Sequence, residues 1–206
     1  MLIKRKNKKL YIIGIFIILF SIGISSIPFF IENNENMKEE EKIEEFLKID
    51  KIEKIQNIDE VKEIKEVKVN NYNMVIEIPK IDLYKGLYNL DSKYNNVAYN
   101  IEILKESDMP NVTNGNFILA SHNGNSSVSY FEKLTNLNLF DDVYIYYENV
   151  KYNYQITDFY EVNKNGIIEI KREHDETVIV LITCKKNTKD KQLVYVGNLI
   201  NKENYW

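Results

Sequence analysis

Residues Thr177 to Cys184 read TVIVLITC, and the chain continues as KKNTKDK before a second apolar run, QLVYVG, begins at Gln192. A short, unbroken run of β-branched and apolar residues bounded by polar ones reads as a buried strand. Cys184 therefore stands where a buried strand emerges into a lysine-rich loop. Neighbouring cations favour the thiolate, the form of cysteine that attacks carbonyl carbon. Lys185, Lys186, Lys189 and Lys191 are the candidate local cations. A lone cysteine is also commonly a small buried hydrophobe, and position alone leaves both readings open. Cys184 is the only cysteine, which excludes an internal disulfide and a thiolate metal cage.

Other segments of the same kind flank this one. MVIEIP (Met74–Pro79), GNFILAS (Gly115–Ser121), DVYIYYE (Asp142–Glu148), KYNYQITDFYEV (Lys151–Val162), GIIEI (Gly166–Ile170) and KQLVYVGNLI (Lys191–Ile200) all read as strands between turn residues. Tyr144 to Ile156 reads as a hairpin turning near Glu148 and Asn149. Val128, Phe131, Leu134 and Leu137 recur at nearly helical spacing and predict one short helix over Val128 to Asn138. Short strands with few helices place residues 73–206 in the mainly β class, as a barrel or sandwich.

The chain has 206 residues, room for one domain with something attached. Hydrophobic residues make up 44% and aromatics 12%, ample material for a sheet-rich core. A formal charge of -4, with lysines scattered among acids, gives no footprint for nucleic acid.

Before the domain, Tyr11 to Ile31 reads YIIGIFIILFSIGISSIPFFI, without a charge and long enough to span a bilayer as a helix. It exceeds the apolar core of a signal peptide and lacks a clear cleavage site, so an uncleaved transmembrane anchor is expected. The basic flank of residues 1–10, with Lys4, Arg5, Lys6, Lys8 and Lys9, predicts a cytoplasmic N-terminus and a domain outside the cell membrane. Residues 32–72, rich in Glu and Lys and free of Gly and Pro, read as a charged helical stalk. A solvated spacer is the first expectation for it, a partner-binding coiled coil the second.

His122 follows the strand GNFILAS and precedes NGNSS, again at a strand-to-loop edge. A cysteine and a histidine are the minimal pair for acyl transfer, one attacking and the other protonating the leaving amine. His174, in the charged run KREHDET, reads as a solvated loop residue.

IPKIDL (Ile78–Leu83), NFILASHNG (Asn116–Gly124) and VLITC (Val180–Cys184), followed by QLVYVG, resemble in order the landmarks of sortases, the membrane-anchored cysteine transpeptidases of Gram-positive bacteria. The resemblance covers about Asn73 to Asn201. It implies a closed eight-stranded β-barrel with short helices, behind the transmembrane helix and stalk, in which His122 and Cys184 lie side by side. It implies that Cys184 cleaves a C-terminal sorting signal of the LPXTG kind through a thioester. The protein so held passes to an amine acceptor, a cell-wall precursor or a pilin lysine. Ala120, Ser121, Thr183 and Lys191 would then line the signal, and no cofactor is called for. Where sortases carry an arginine, directly before the apolar run, this chain has Gln192, preceded by Lys191. Strand alternation lets only one of the two face the site, and Gln192 has the arginine's parity. The resemblance also admits calcium at the acidic loop Glu169 to Glu176, though a solvated charge run is the plainer reading. Two alternatives stand beside the enzyme: a catalytically impaired signal-binding relative, and a tethered adhesion or assembly module with an inert Cys184.

Overall fold

The computed structural model describes residues 7–55 and 72–205. Lys4, Arg5 and Lys6 of the expected cytoplasmic tail, and residues 56–71 of the expected stalk, lie outside the described residues. The chain divides into two compact units, Met1–Glu41 and Lys42–Trp206.

One helix, α1, runs Asn7–Ile55. In its first unit the apolar side chains Ile12, Phe16, Leu19, Phe20 and Ile24 are all exposed. Among the described residues no helix is long and apolar enough to cross a membrane; the unbroken run of described side chains here ends at Ile22. In the second unit Ile43 and Phe46, one helical turn apart, are buried against Tyr72 and Val75. At these two residues the expected spacer is part of the domain's core.

The strands are β1 (Tyr72–Ile78), β2 (Leu83–Tyr88), β3 (Glu102–Ile103), β4 (Asn116–Ala120), β5 (Asp142–Tyr147), β6 (Val150–Asn163), β7 (Val178–Cys184) and β8 (Lys191–Asn204). They form one eight-stranded sheet in the order β2-β1-β5-β6-β8-β7-β4-β3. Its end strands touch without pairing, so the barrel is nearly closed, where the sequence resemblance implied full closure. Side-chain alternation follows from the pleat: Val143, Ile145 and Tyr147 of β5 and Tyr152, Tyr154 and Ile156 of β6 all point into the core. The expected hairpin turn falls on Glu148 and Asn149, both at positive φ, the backbone that lets a two-residue turn follow the strand twist.

Three local expectations change. GIIEI is not a strand but irregular backbone, because its Ile168 and Ile170 pack onto the barrel instead of pairing. The helix expected over Val128 to Asn138 shrinks to a 3-10 turn at Leu134–Asn136, with Phe131 and Leu134 buried. β2 and β3 were not anticipated. β2 carries Gly86, and the ring of Tyr72 lies over it so closely that an added Cβ would stand 2.0 Å from Tyr72 Cδ2. The Gly86 carbonyl accepts a hydrogen bond of 2.8 Å from the buried Asn100 side chain. Gly86→Ala must displace the ring or the strand, and we expect a loss of about 1–3 kcal/mol, measured by denaturant unfolding of the full chain.

Candidate active site

Among the described residues every strand pairing is antiparallel except one. β4 runs parallel to β7, with Ala120 across from Ile182. The ladder continues past β4: Ser121 N–H donates to Ile182 O at 3.2 Å. Two residues beyond the pair Ala120 and Ile182 stand His122 and Cys184, level with each other along neighbouring chains. Two side chains hold this end in place. Thr183 Oγ1 donates to Ser121 O at 2.8 Å, and Asn123 Nδ2 donates to Cys184 O at 3.0 Å. The loop after His122 is anchored by Phe131, fully buried, whose N–H donates to His122 O at 3.2 Å. His122 is exposed and Cys184 half-buried, so both are open to a substrate.

β7 is buried on both faces, which is why its sequence is a continuous apolar run. Ile179 and Leu181 face the barrel interior. Val178, Val180 and Ile182 face the other way, into a second apolar cluster with Ile118, Val194 and Val196. Residues of the irregular segment 164–177 cover part of that outer face through Ile168 and Ile170. Cys184 continues the outer row of β7, and Ala120 lies against the same cluster. The thiol thus stands at the end of an apolar outer face.

Cross-strand register sorts the polar groups. Cys184 pairs with Gln192 of β8, which pairs in turn with Val162 of β6. Directly paired residues share a face, so Gln192 stands on the thiol's side. Lys191 is one residue off and stands on the other. There its Nζ donates to Asn163 Oδ1 at 2.7 Å and lies 3.5 Å from Glu161 Oε1. Lys185, with the parity of Lys191 and not of Cys184, also bonds Glu161. The hydrogen bond from Lys185, together with the charges of both lysines, holds the Glu161 carboxyl below the usual carboxylate range. Lys164, just past the end of β6, has the parity of Val162, and its Nζ lies 3.7 Å from Cys184 Sγ.

Several expected site residues move. Ser121 and Thr183, expected to touch the signal, are buried at 5% and 2% exposure with the interior parity of Leu119 and Leu181, because the strand pleat turns them away from the thiol's face. They are scaffold. Lys191, expected among the binding residues, is turned to the opposite face by the same alternation and held by Glu161. Ala120, His122, Cys184 and Gln192 share the parity of the outer face. Lys164 and Asn123 were not anticipated; both meet Cys184 from far away in sequence, and only the pairing of whole strands reveals them. His174 is exposed. In the acidic loop, Arg172 Nη1 donates to Asn114 O at 2.8 Å and Glu176 O at 2.6 Å, and Glu176 Oε2 accepts from Glu173 N–H. Among the described residues no group of three His, Cys, Asp or Glu is placed to hold a metal.

One parallel strand pair brings a thiol and an imidazole level at the rim of a nearly closed mixed barrel. The chain belongs to the sortase family, the cysteine transpeptidases, whose Sortase domain matches residues 76–200. Sortase A of Bacillus anthracis is 29% identical over 128 residues, which cover 61% of this chain and 58% of that protein. The fold is also that of the sortase D5 transpeptidase of Clostridium perfringens, at a TM-score of 0.58 and 22% identity over 79% of this chain and 98% of that one. Sortase C-3 of Streptococcus pneumoniae superposes at a TM-score of 0.59 and 18% identity, over 66% of each chain.

The two buried hydroxyls at the site make a matched test. Thr183→Val removes the bond to the Ser121 carbonyl and should cost about 1–2 kcal/mol. Ser121 Oγ is buried without a hydrogen-bond partner among the described residues, so Ser121→Ala should leave stability unchanged or raise it. Urea unfolding of both variants beside the parent checks the pair.

Proposed function

We propose that this protein is a membrane-anchored sortase that cleaves a C-terminal sorting signal of the LPXTG kind and transfers the protein to an amine acceptor of the cell wall or of a pilin. The observation that carries the reading is the parallel register of β4 and β7, which sets His122 level with Cys184. The Cys184 thiolate attacks the scissile carbonyl carbon; a C–S bond forms and the carbonyl oxygen takes the negative charge. As the intermediate collapses, the C–N bond breaks and the His122 imidazolium gives its proton to the departing amine. A thioester remains. The acceptor amine then attacks it, His122 takes the amine's proton, and an amide forms as the thiolate leaves. Gln192, on the thiol's face, offers a neutral donor to the oxyanion or the signal backbone. Ala120 and the neighbouring apolar outer face receive the apolar residues of the signal.

The reading extends to topology. The uncharged run of residues 11–31, its exposed apolar side chains and the basic flank before it support an anchor with its N-terminus in the cytoplasm and the barrel outside. Protease added to intact, wall-stripped cells is expected to digest the barrel. Protection until lysis would overturn the orientation.

A second reading, a relative that binds the signal without turnover, draws on Gln192 in place of the family arginine. One assay separates the two: the full chain is incubated with a panel of sorting-signal peptides, and both cleavage and thioester are followed by mass. We expect cleavage with a thioester on Cys184, none at all with Cys184→Ala, and a loss of at least about a hundredfold with His122→Ala. Undiminished cleavage by Cys184→Ala would rule out thiol catalysis. Peptide binding without cleavage would favour the second reading.

A further inference from the structure

We propose that Lys164 is a catalytic residue of the transpeptidation: its ammonium faces Cys184 Sγ and supplies the positive charge that the family carries on the arginine replaced here by Gln192. The assignment rests on the sortase reading of the site and adds to it the group that holds the thiolate.

Proximity comes first, with Lys164 Nζ 3.7 Å from the sulfur. Strand alternation explains why this lysine arrives there. Val162 shares the cross-strand row of Gln192 and Cys184, and Lys164, two residues on, keeps its parity. The backbone fixes the spot, because Lys164 N–H donates to Asp190 O at 2.7 Å and so ties the end of β6 to the loop that follows Cys184.

The other cations are elsewhere. Lys185 and Lys191 are both held by Glu161 on the opposite face. Lys186 and Lys189 are exposed and make no ion pair among the described residues. Arg172, the one arginine among the described residues, is spent on the carbonyls of Asn114 and Glu176. Lys164, in contrast, has no carboxylate partner among the described residues, so its charge is not neutralised before it reaches the sulfur.

Lys164 acts through its charge and transfers no proton. It stabilises the negative charge on sulfur before attack and again when the thiolate leaves the intermediate formed by the acceptor amine. The two capacities of a guanidinium, charge and aligned hydrogen bonds, are thereby divided: Lys164 carries the charge and Gln192 the neutral donors. A charge effect at an exposed contact is modest and falls as salt screens it.

The test reads the sulfur directly. Chloroacetamide, an uncharged reagent, alkylates the single thiol of the full chain at neutral pH and low salt, and mass spectrometry follows the rate. Lys164→Met should alkylate roughly fivefold more slowly, with Lys164→Arg close to the parent and Lys202→Met, the same charge change at the far end of β8, unchanged. Raising the salt should narrow the gap between Lys164→Met and the parent. On a cleaved peptide, kcat should fall in Lys164→Met with KM little changed, and Gln192→Arg in that background should recover most of the loss. Lys164→Gln serves as a second neutral variant should the methionine perturb folding. Because alkylation needs no turnover, failure of the parent to cleave any peptide counts against the sortase reading alone. Alkylation at the parent rate in both neutral variants at low salt overturns the assignment of Lys164.

Discussion

The site depends on the parallel pairing of β4 with β7. Antiparallel neighbours can be joined by a tight turn, but a parallel pair requires the chain to travel back before it runs alongside itself. Here the return consists of β5, β6 and the irregular segment that follows. The detour serves the site twice. It lets two neighbouring chains finish at the same level, so that His122, just past β4, and Cys184, the last residue of β7, stand level although they are far apart in sequence. It also brings the returning segment across the outer face of β7, where Ile168 and Ile170 cover apolar surface that would otherwise face water.

Once β7 is buried on both sides, alternation along it separates two kinds of work. Residues of one parity fill the barrel, and the hydroxyl of Thr183 ties β7 to the end of β4 from within. Residues of the other parity form the outer apolar cluster, and their row ends in the thiol. The same alternation on β6 and β8 sorts lysines: Glu161 gathers Lys185 and Lys191 on one side, and Lys164 is left on the other. A sheet a single strand thick thus keeps the charges of its two faces apart.

The sequence disclosed the parts that rest on periodicity. β1, β4, β7 and β8 are apolar runs, β5 and β6 alternate, and Glu148 and Asn149 are turn residues between them. It was silent where a partner far along the chain decides the outcome. β2 contains Lys85 and Gly86, poor strand formers by propensity, and is held by pairing with β1 and by the Tyr72 ring lying on the glycine. GIIEI has a strand's composition, but its isoleucines Ile168 and Ile170 pack onto the apolar outer face. Ile43 and Phe46 sit in a Glu/Lys-rich stretch that reads as solvated until Tyr72 and Val75 are placed beneath them. At the site, Cys184, His122 and the facing of Gln192 follow from strand ends and parity. The inward turn of Ser121 and Thr183 required knowing which face of β7 is the interior, and the approach of Lys164 required the register of β6 on β8.

The row formed by Cys184, Gln192 and Val162 changes what counts as an equivalent position. A motif ties the cation beside the sulfur to one column of an alignment, as if only that place on β8 could supply it. In three dimensions the sulfur looks along a line that crosses three strands and the loop ends beyond them, and a charge entering anywhere on that line reaches it. With Lys164 in the role proposed above, a basic residue absent from one strand is replaced by one that enters from another. A census of these proteins that discards chains lacking the arginine would then remove members whose compensating charge sits on a neighbouring strand.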